Sequence, residues 1–263
     1  FAGQSADMEN IHQLVKAAEK KYGHKIYIIE DASHALGSVY RNTNVGSCTY
    51  SDMTVLSFHP VKHITTGEGG AVLSNDENTD IRLRLFSSHG ITRDHDLLKN
   101  NLGPWYYEQI DLGYNYRITD IQSALGISQL KKLSTFRNRR REIVDRYNNE
   151  LQSIPLLQIP FESKDCNSNF HLYVILFDYE KVGKTRNSFK EALQAENILT
   201  QIHYIPVHLH PYYQTNFGTK WGDYPKAENY FEKCLSIPLY PAMSDNDVTK
   251  VIETVKEIYR GNR

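Results

Sequence analysis

The stretch Thr54-Val-Leu-Ser-Phe-His-Pro-Val-Lys-His-Ile-Thr-Thr-Gly-Glu-Gly-Gly-Ala-Val-Leu-Ser74 sets two short apolar runs, Thr54–Phe58 and Ala71–Ser74, around a loop. That loop holds Ser57, Lys62, Gly67, Gly69 and Gly70, residues that make poor solvent-facing filler. Apolar runs of this length are typical of strands packed on both faces in the middle of an α/β sheet, and such sheets hold ligands at their strand ends. A lysine at that place is a candidate for chemistry.

Upstream, Met8, Ile11, Leu14, Val15 and Ala18 recur at helical spacing, with Ser5 or Asp7 as N-cap and Gly23 as the stop. Lys25–Glu30, with Ile26, Tyr27, Ile28 and Ile29, reads as a short buried strand that delivers Asp31 to its carboxyl end. Downstream, Asn78–Ser87 reads as a short helix. The run from Asp120 is apolar on most sides, as in a helix buried in a core or an interface. A long helix follows, with Phe136, Ile143, Val144, Tyr147 and Leu151 on one face. Its other face carries Arg137, Arg139, Arg140 and Arg141, which the near-neutral net charge assigns to solvent and not to a phosphate or nucleic-acid patch.

Pro155 and Pro160 mark a domain boundary, giving a first domain over residues 1–153 and a second over 154–263. In the second, Phe170–Asp178 alternates as a strand, Thr185–Ala195 reads as a helix and Leu199–Tyr204 as another strand. Ser244 caps a last helix carrying Val248, Val251, Ile252, Val255 and Ile258. That order predicts a small α+β domain behind a larger α/β one.

The 263 residues carry a formal net charge of −1, which gives no electrostatic reason for nucleic acid or an anionic membrane as partner. No apolar run approaches the roughly 18 residues of a membrane-spanning helix, and no charged-then-apolar leader opens the chain; a cytoplasmic protein is expected. Cys48, Cys166 and Cys234 are odd in number and far apart, which fits a reducing compartment and no disulfide framework. The chain opens on Phe1 instead of methionine, and the expectation is a processed or truncated product with an N-terminal segment missing.

Several chemistries fail on their spacing. Gly67-Glu-Gly-Gly would need a glycine at Val72 for a dinucleotide fingerprint, and its glycines precede a strand instead of following one. His59 and His63 have Pro60 between them, against the helix that would turn both to one metal, and no metal is expected. His203, His208 and His210 read as a polar substrate pocket. A Ser-His-Asp hydrolase lacks its GxSxG elbow. Asp31, His34, Ser57 and Lys62 remain, and together they meet the needs of pyridoxal phosphate (PLP). That cofactor wants an amine for its Schiff base, a carboxylate against the pyridine nitrogen, and hydroxyls and backbone amides for its phosphate.

Glu30-Asp-Ala-Ser-His-Ala-Leu-Gly, Ser57-Phe-His-Pro-Val-Lys-His-Ile-Thr-Thr-Gly-Glu-Gly-Gly and Gly113-Tyr-Asn-Tyr-Arg-Ile-Thr-Asp-Ile-Gln-Ser-Ala resemble, in order, three signature segments of the DegT/DnrJ/EryC1/StrS sugar aminotransferases. The resemblance spans the chain. It implies a fold-type I PLP-dependent transferase, with part of a large α/β domain around a central, mostly parallel sheet and a small C-terminal α+β domain. It also implies a homodimer with active sites shared across the subunit interface. Lys62 would be the Schiff-base lysine, Asp31 the partner of the pyridine nitrogen and Ser57 a phosphate ligand. His34 stands where many relatives have glutamine near the ring hydroxyl. Asn115 would reach the partner chain's cofactor phosphate, with Arg117 beside it near the nucleotide sugar; His203 and Tyr204 would border the substrate.

Some members of the family are dehydratases with histidine at the lysine position; Lys62 favours transamination. The implied reaction moves an amino group from glutamate to the C4 ketone of a UDP-linked 4-keto-6-deoxy-N-acetylhexosamine, in pseudaminic acid or other cell-surface glycan biosynthesis. The family's glycine-threonine phosphate loop and ring-stacking aromatic would precede residue 1. The alternative is therefore a catalytically incompetent fragment or a sugar-nucleotide-binding remnant of the same family.

Overall fold

The computed structural model describes residues 1–261, which divide into two compact units. One holds residue 1, residues 3–133 and residues 165–168; the other holds residue 2, residues 134–164 and the chain from 169 onward. In chain order, α1 (Met8–Tyr22), β1 (Ile29–Asp31), β2 (Val39–Tyr40), β3 (Thr43–Asn44), β4 (Met53–Ser57) and β5 (Gly70–Leu73) come first. They are followed by α2 (Glu77–Ser87), β6 (Ile91–Thr92), β7 (Glu108–Gln109), α3 (Asp120–Leu130), α4 (Leu133–Leu151), β8 (Leu157–Gln158) and β9 (Cys166–Asn167). The chain closes through β10 (Tyr173–Phe177), α5 (Arg186–Ala195), α6 (Pro211–Phe217), α7 (Pro225–Lys233), β11 (Cys234–Ile237) and α8 (Asp245–Tyr259).

In the first unit β4 is the middle of a three-stranded sheet. It runs parallel to β1, with Asp31 level with Val55, and antiparallel to β5, with Ser57 level with Gly70. An antiparallel return allows the connection from Ser57 to Gly70 to be a loop, where a parallel one would need a crossover. Thr54 and Leu56 point inward, and Leu56 packs on Ala32 and Ala35. Gly23 ends α1 in the left-handed region, its N–H returning to Glu19 at 2.9 Å, as its sequence position predicts.

One reading of this unit is corrected. The strand expected over Lys25–Glu30 begins only at Ile29, and Tyr27 and Ile29 are exposed. Ile28 gives its N–H to the Asp52 carboxylate (2.7 Å) instead of a strand partner, and β1 has one strand neighbour among the described residues. The apolar helix α3 buries only Gly126 within this chain; Ile121 is 84% exposed and Ile127 58%. The units divide at Leu133 and Ser134, while the boundary expected from Pro155 lies at the far end of α4. The reason is that Ile143, Val144, Tyr147 and Leu151 of α4 belong to the second unit's core.

That core closes around β10, which pairs antiparallel with β11 on one side and β8 on the other. Tyr173, Ile175 and Phe177 pack against α4, against Phe189 and Leu193 of α5 and against Val248, Ile252 and Val255 of α8. Capping boxes at Thr185 and Ser244 fix the starts of α5 and α8. The strand expected over Leu199–Tyr204 is reduced to a single bridge, Gln201 with Ser236. The Ile202 N–H is taken by the Gln201 side chain (3.2 Å), and Pro206 has none to give. Two short helices the periodicity misses, α6 and α7, each open on a proline at the first turn.

The arginine face of α4 is not a solvated one. Arg140 is 6% exposed and donates to the carbonyls of Phe170 (3.2 Å), His171 (3.2 Å) and Leu239 (2.9 Å). Burial pulls its pKa down to about 10. Arg139 pairs with Asp245 and Glu142, and Arg141 with Glu162. Arg140 stands three, four and seven positions before Ile143, Val144 and Tyr147, on the face of α4 that packs, and there it covers the turns around Phe170 and Leu239. No helix among the described residues is long and apolar enough to cross a membrane.

Candidate active site

Because β1 and β4 are parallel, their carboxyl ends coincide, and Asp31 and Ser57 emerge at the same edge of the sheet. Asp31 Oδ1 accepts from the Ser33 hydroxyl (2.6 Å) and the Ser33 N–H (3.0 Å), an Asx turn that fixes the carboxylate. Those two bonds, aided by His34, hold the Asp31 carboxyl below the usual range despite partial burial. The His34 ring lies 6.0 Å from that of Phe1. Ser57 Oγ accepts from the His59 N–H at 3.4 Å.

The loop that carries Lys62 is closed at its base, where Phe58 N–H bonds Gly69 O (2.9 Å) and Thr66 N–H bonds Phe58 O (3.0 Å). Buried His63 and Ile64 anchor it inward, and Lys62 N–H closes a turn on His59 O (2.9 Å). Lys62 is half-buried. Its loss of solvent lowers its pKa, and the Asp31 carboxylate opposes that shift, so the two groups stand within Coulombic reach. The return limb of the loop rests on α3: Thr66 packs on Gly126, and the Gln122 side chain reaches Glu68 O (3.0 Å). At the end of the loop a Cβ on Gly70 would lie 2.7 Å from Leu56 O of the adjacent strand, so only glycine allows this register.

The segment holding Asn115 and Arg117 is sewn to the end of α2. His89 N–H bonds Tyr114 O (2.8 Å), Tyr114 N–H bonds Phe86 O (2.6 Å) and Tyr116 N–H bonds Ser87 O (2.9 Å). Asn115 bridges Ser88 through the backbone, and both its side chain and that of Arg117 are exposed. Tyr114 and Tyr116 stack at 4.8 Å beside a groove of about 820 Å³ that Val55, Val72, Leu83 and Phe86 also line.

His203 and Tyr204 lie in the second unit. His203 Nδ1 is 2.7 Å from Ser236 Oγ, and the His203 ring meets Tyr204 edge-on at 4.7 Å. Burial raises the Tyr204 pKa. The polar pocket expected of His203, His208 and His210 is corrected: His208 is sealed against Glu228 at 2.8 Å, and Glu228 also accepts from the N–H groups of Gly222 and Tyr224. The cavity there, of about 570 Å³, is lined mainly by Pro206, Val207, Tyr213, Phe217, Tyr224 and Ala227. Among the described residues no group of three His, Cys, Asp or Glu side chains is placed to hold a metal.

The first unit thus gathers Asp31, His34, Ser57 and Lys62 at one sheet edge. An amine of lowered pKa, a carboxylate held ionised beside it and a hydroxyl are the donor set PLP requires, and the residues fit that group. Sequence reasoning missed Ser33, Thr66 and Gln122. The spacings Asp31-x-Ser33 and Thr119-x-x-Gln122 are readable as an Asx turn and a capping box, but neither signals nearness to Lys62.

The model of the DegT/DnrJ/EryC1/StrS aminotransferase family matches residues 1–256. The chain is 42% identical over 262 residues to the spore coat polysaccharide biosynthesis protein SpsC of Bacillus subtilis, covering 99% of this chain and 65% of that protein. It is 38% identical over 259 residues to the UDP-4-amino-4,6-dideoxy-N-acetyl-beta-L-altrosamine transaminase of Campylobacter jejuni, covering 98% of this chain and 64% of that one. Among solved structures it is similar to Helicobacter pylori PseC, an aminotransferase involved in the biosynthesis of pseudoaminic acid. That likeness has a TM-score of 0.85 and 33% identity, covering 99% of this chain and 65% of that chain. The chain therefore spans just under two thirds of the length of these relatives. The fold is that of the fold-type I PLP-dependent transferases.

Proposed function

Because this chain belongs to the DegT/DnrJ/EryC1/StrS aminotransferase family, we propose that it acts as a PLP-dependent nucleotide-sugar aminotransferase whose Schiff-base lysine is Lys62. The proposed reaction moves an amino group from glutamate to the C4 ketone of a UDP-linked 4-keto-6-deoxy-N-acetylhexosamine. The observation that carries the reading is the pairing of a half-buried Lys62, pKa lowered, with an ionised Asp31 at one sheet edge.

PLP, when bound, supplies an aldehyde for an amine and an electron sink that lets a proton leave the carbon next to nitrogen. The chain's own residues do the rest. Lys62 would hold the aldehyde and, once freed by the incoming amine, would move the proton between the substrate carbon and the cofactor carbon in each half-reaction. A lowered pKa keeps more of its amine in the neutral form that takes up a proton. Asp31, held ionised by Ser33, keeps the ring nitrogen protonated. Ser57 and the N–H groups of its turn would hold the phosphate, and His34 would be a further cofactor-binding residue.

The two-step cycle needs a second copy. Asn115 and Arg117 are exposed on the surface beside α3, whose uncovered Ile121 and Ile127 supply an apolar face for a homodimer. The reading is that Asn115 completes the phosphate site of the partner chain and Arg117 meets the nucleotide sugar, with His203 and Tyr204 as further substrate-binding residues. The UDP-sugar acceptor draws support from the transaminase of Campylobacter jejuni, and a role in polysaccharide biosynthesis from SpsC.

The test is incubation with PLP, borohydride reduction and peptide mapping. A pyridoxyl adduct on Lys62 is expected, with absorbance of the bound cofactor before reduction. An adduct on another lysine would sink the assignment, and a colourless chain that cannot be reconstituted would favour the sugar-nucleotide-binding remnant. A transaminase assay on UDP- and dTDP-linked ketosugars then tests the acceptor.

A further inference from the structure

Gln122 makes three contacts through one amide. Its Oε1 accepts from the N–H and the hydroxyl of Thr119, both at 3.0 Å, completing the capping box that starts α3. Its Nε2 donates at 3.0 Å to Glu68 O, on the return limb of the lysine loop, 54 positions away in sequence. The same carbonyl receives the hydroxyl of Thr66 at 2.6 Å. Thr66 is 4% exposed, and its methyl faces Gly126 one turn along α3, where an added Cβ would come within 2.9 Å. The loop is thus held at two places: at its base by the Phe58–Gly69 and Thr66–Phe58 bonds, and on its outer limb by α3.

A cap needs only the acceptor half of the glutamine side chain, and a glutamate at this position would serve it equally. The donor half is the part that ties helix to loop. We propose that Gln122 is a positioning residue for Lys62, clamping Glu68 O together with Thr66 so that the loop presents its amine to the cofactor side of the sheet. The proposal rests on the reading of Lys62 as the PLP lysine. Loss of the clamp frees Thr65–Gly69, lets water reach the Lys62 amine and degrades its aim; misplacements of about 1 Å at a reacting group are enough to cost up to about 10²-fold in rate.

The experiment compares Gln122→Met, Thr66→Val and Thr119→Ala with the unmodified chain. Competitive acetylation at pH 8, without any cofactor, reads the reactivity of Lys62 against the exposed Lys220. Peptide mapping after PLP and borohydride reads where the aldehyde goes, and the L-glutamate half-reaction is followed by absorbance. Gln122→Met and Thr66→Val are expected to lower Lys62 reactivity roughly threefold as its amine returns toward an ordinary lysine, and to slow the half-reaction about tenfold. Thr119→Ala, which loses the cap hydroxyl and keeps the Nε2 bond, lowers thermal stability and leaves Lys62 reactivity in place. Unchanged reactivity in both clamp variants would overturn the proposal, as would an equal loss in Thr119→Ala. If the unmodified chain takes no PLP on Lys62, the function reading fails, while the acetylation series still decides the clamp.

Discussion

Arg140→Met tests the packing of α4. The side chain is buried and its guanidinium satisfies three carbonyls, those of Phe170, His171 and Leu239, at 2.9–3.2 Å. All three bonds come from Nη1, whose two hydrogens they share, so at about 1.5–3 kcal/mol per N–H of a charged donor the gross loss is about 3–6 kcal/mol. Methionine fills the space and escapes the desolvation of a buried cation, which is worth several kcal/mol and shows in the pKa drawn down to about 10. The net cost is then about 3 kcal/mol, most of it from carbonyls left without a donor. Arg139→Met is the control one residue away. Arg139 pairs with exposed Asp245 and Glu142 and also reaches Met243 O at 2.8 Å, so its loss is expected to cost about 1 kcal/mol. Urea unfolding of the two variants and the parent, with slopes held equal, measures both. If Arg140→Met costs no more than Arg139→Met, the buried role is refuted and the face is a solvated one after all.

Asp31→Asn is expected to leave the fold intact while slowing transamination by about 10²-fold, since a neutral amide cannot hold the ring proton; unchanged turnover would count against its role. Because burial sets the folded-state pKa of Lys62 below 10.5, the unfolded chain keeps this proton over a window in which the folded chain releases it. Stability from this group therefore rises with pH through that window, and Lys62→Met should flatten the rise in urea midpoints as pH climbs toward 10.5. Gly70→Ala drives a methyl to 2.7 Å from Leu56 O and should cost about 1–3 kcal/mol on thermal unfolding, with weaker cofactor uptake at the adjoining Ser57. Ile121→Asp, on the uncovered face of α3, should leave the far-UV spectrum unchanged and shift sedimentation toward monomer; a monomeric parent chain would refute the dimer reading.

Much of the site was legible because its chemistry is local. Asp31, His34, Ser57 and Lys62 are identifiable from residue type and from their places at strand ends, and helix signals such as Gly23, Thr185 and Ser244 act within a turn of where they stand. Readings failed where a residue's surroundings come from distant chain. Leu199–Tyr204 has strand composition, yet only Gln201 pairs, since the next N–H is spent on a side chain. His208 looked like a pocket residue until Glu228, twenty residues on, sealed it.

The family, the main helices and the candidate lysine can be read from the chain alone, because periodicity, capping and motif spacing are properties of neighbouring residues. Only packing shows which carbonyls the buried Arg140 of α4 binds, that α3 turns its apolar face to solvent in this chain, and that Gln122 bonds the lysine loop. Those outcomes depend on which surfaces meet across 31 to 99 positions of chain, as in the bonds from Arg140 to His171 and to Leu239. Burial and the pKa shifts it causes exist only once those surfaces have met.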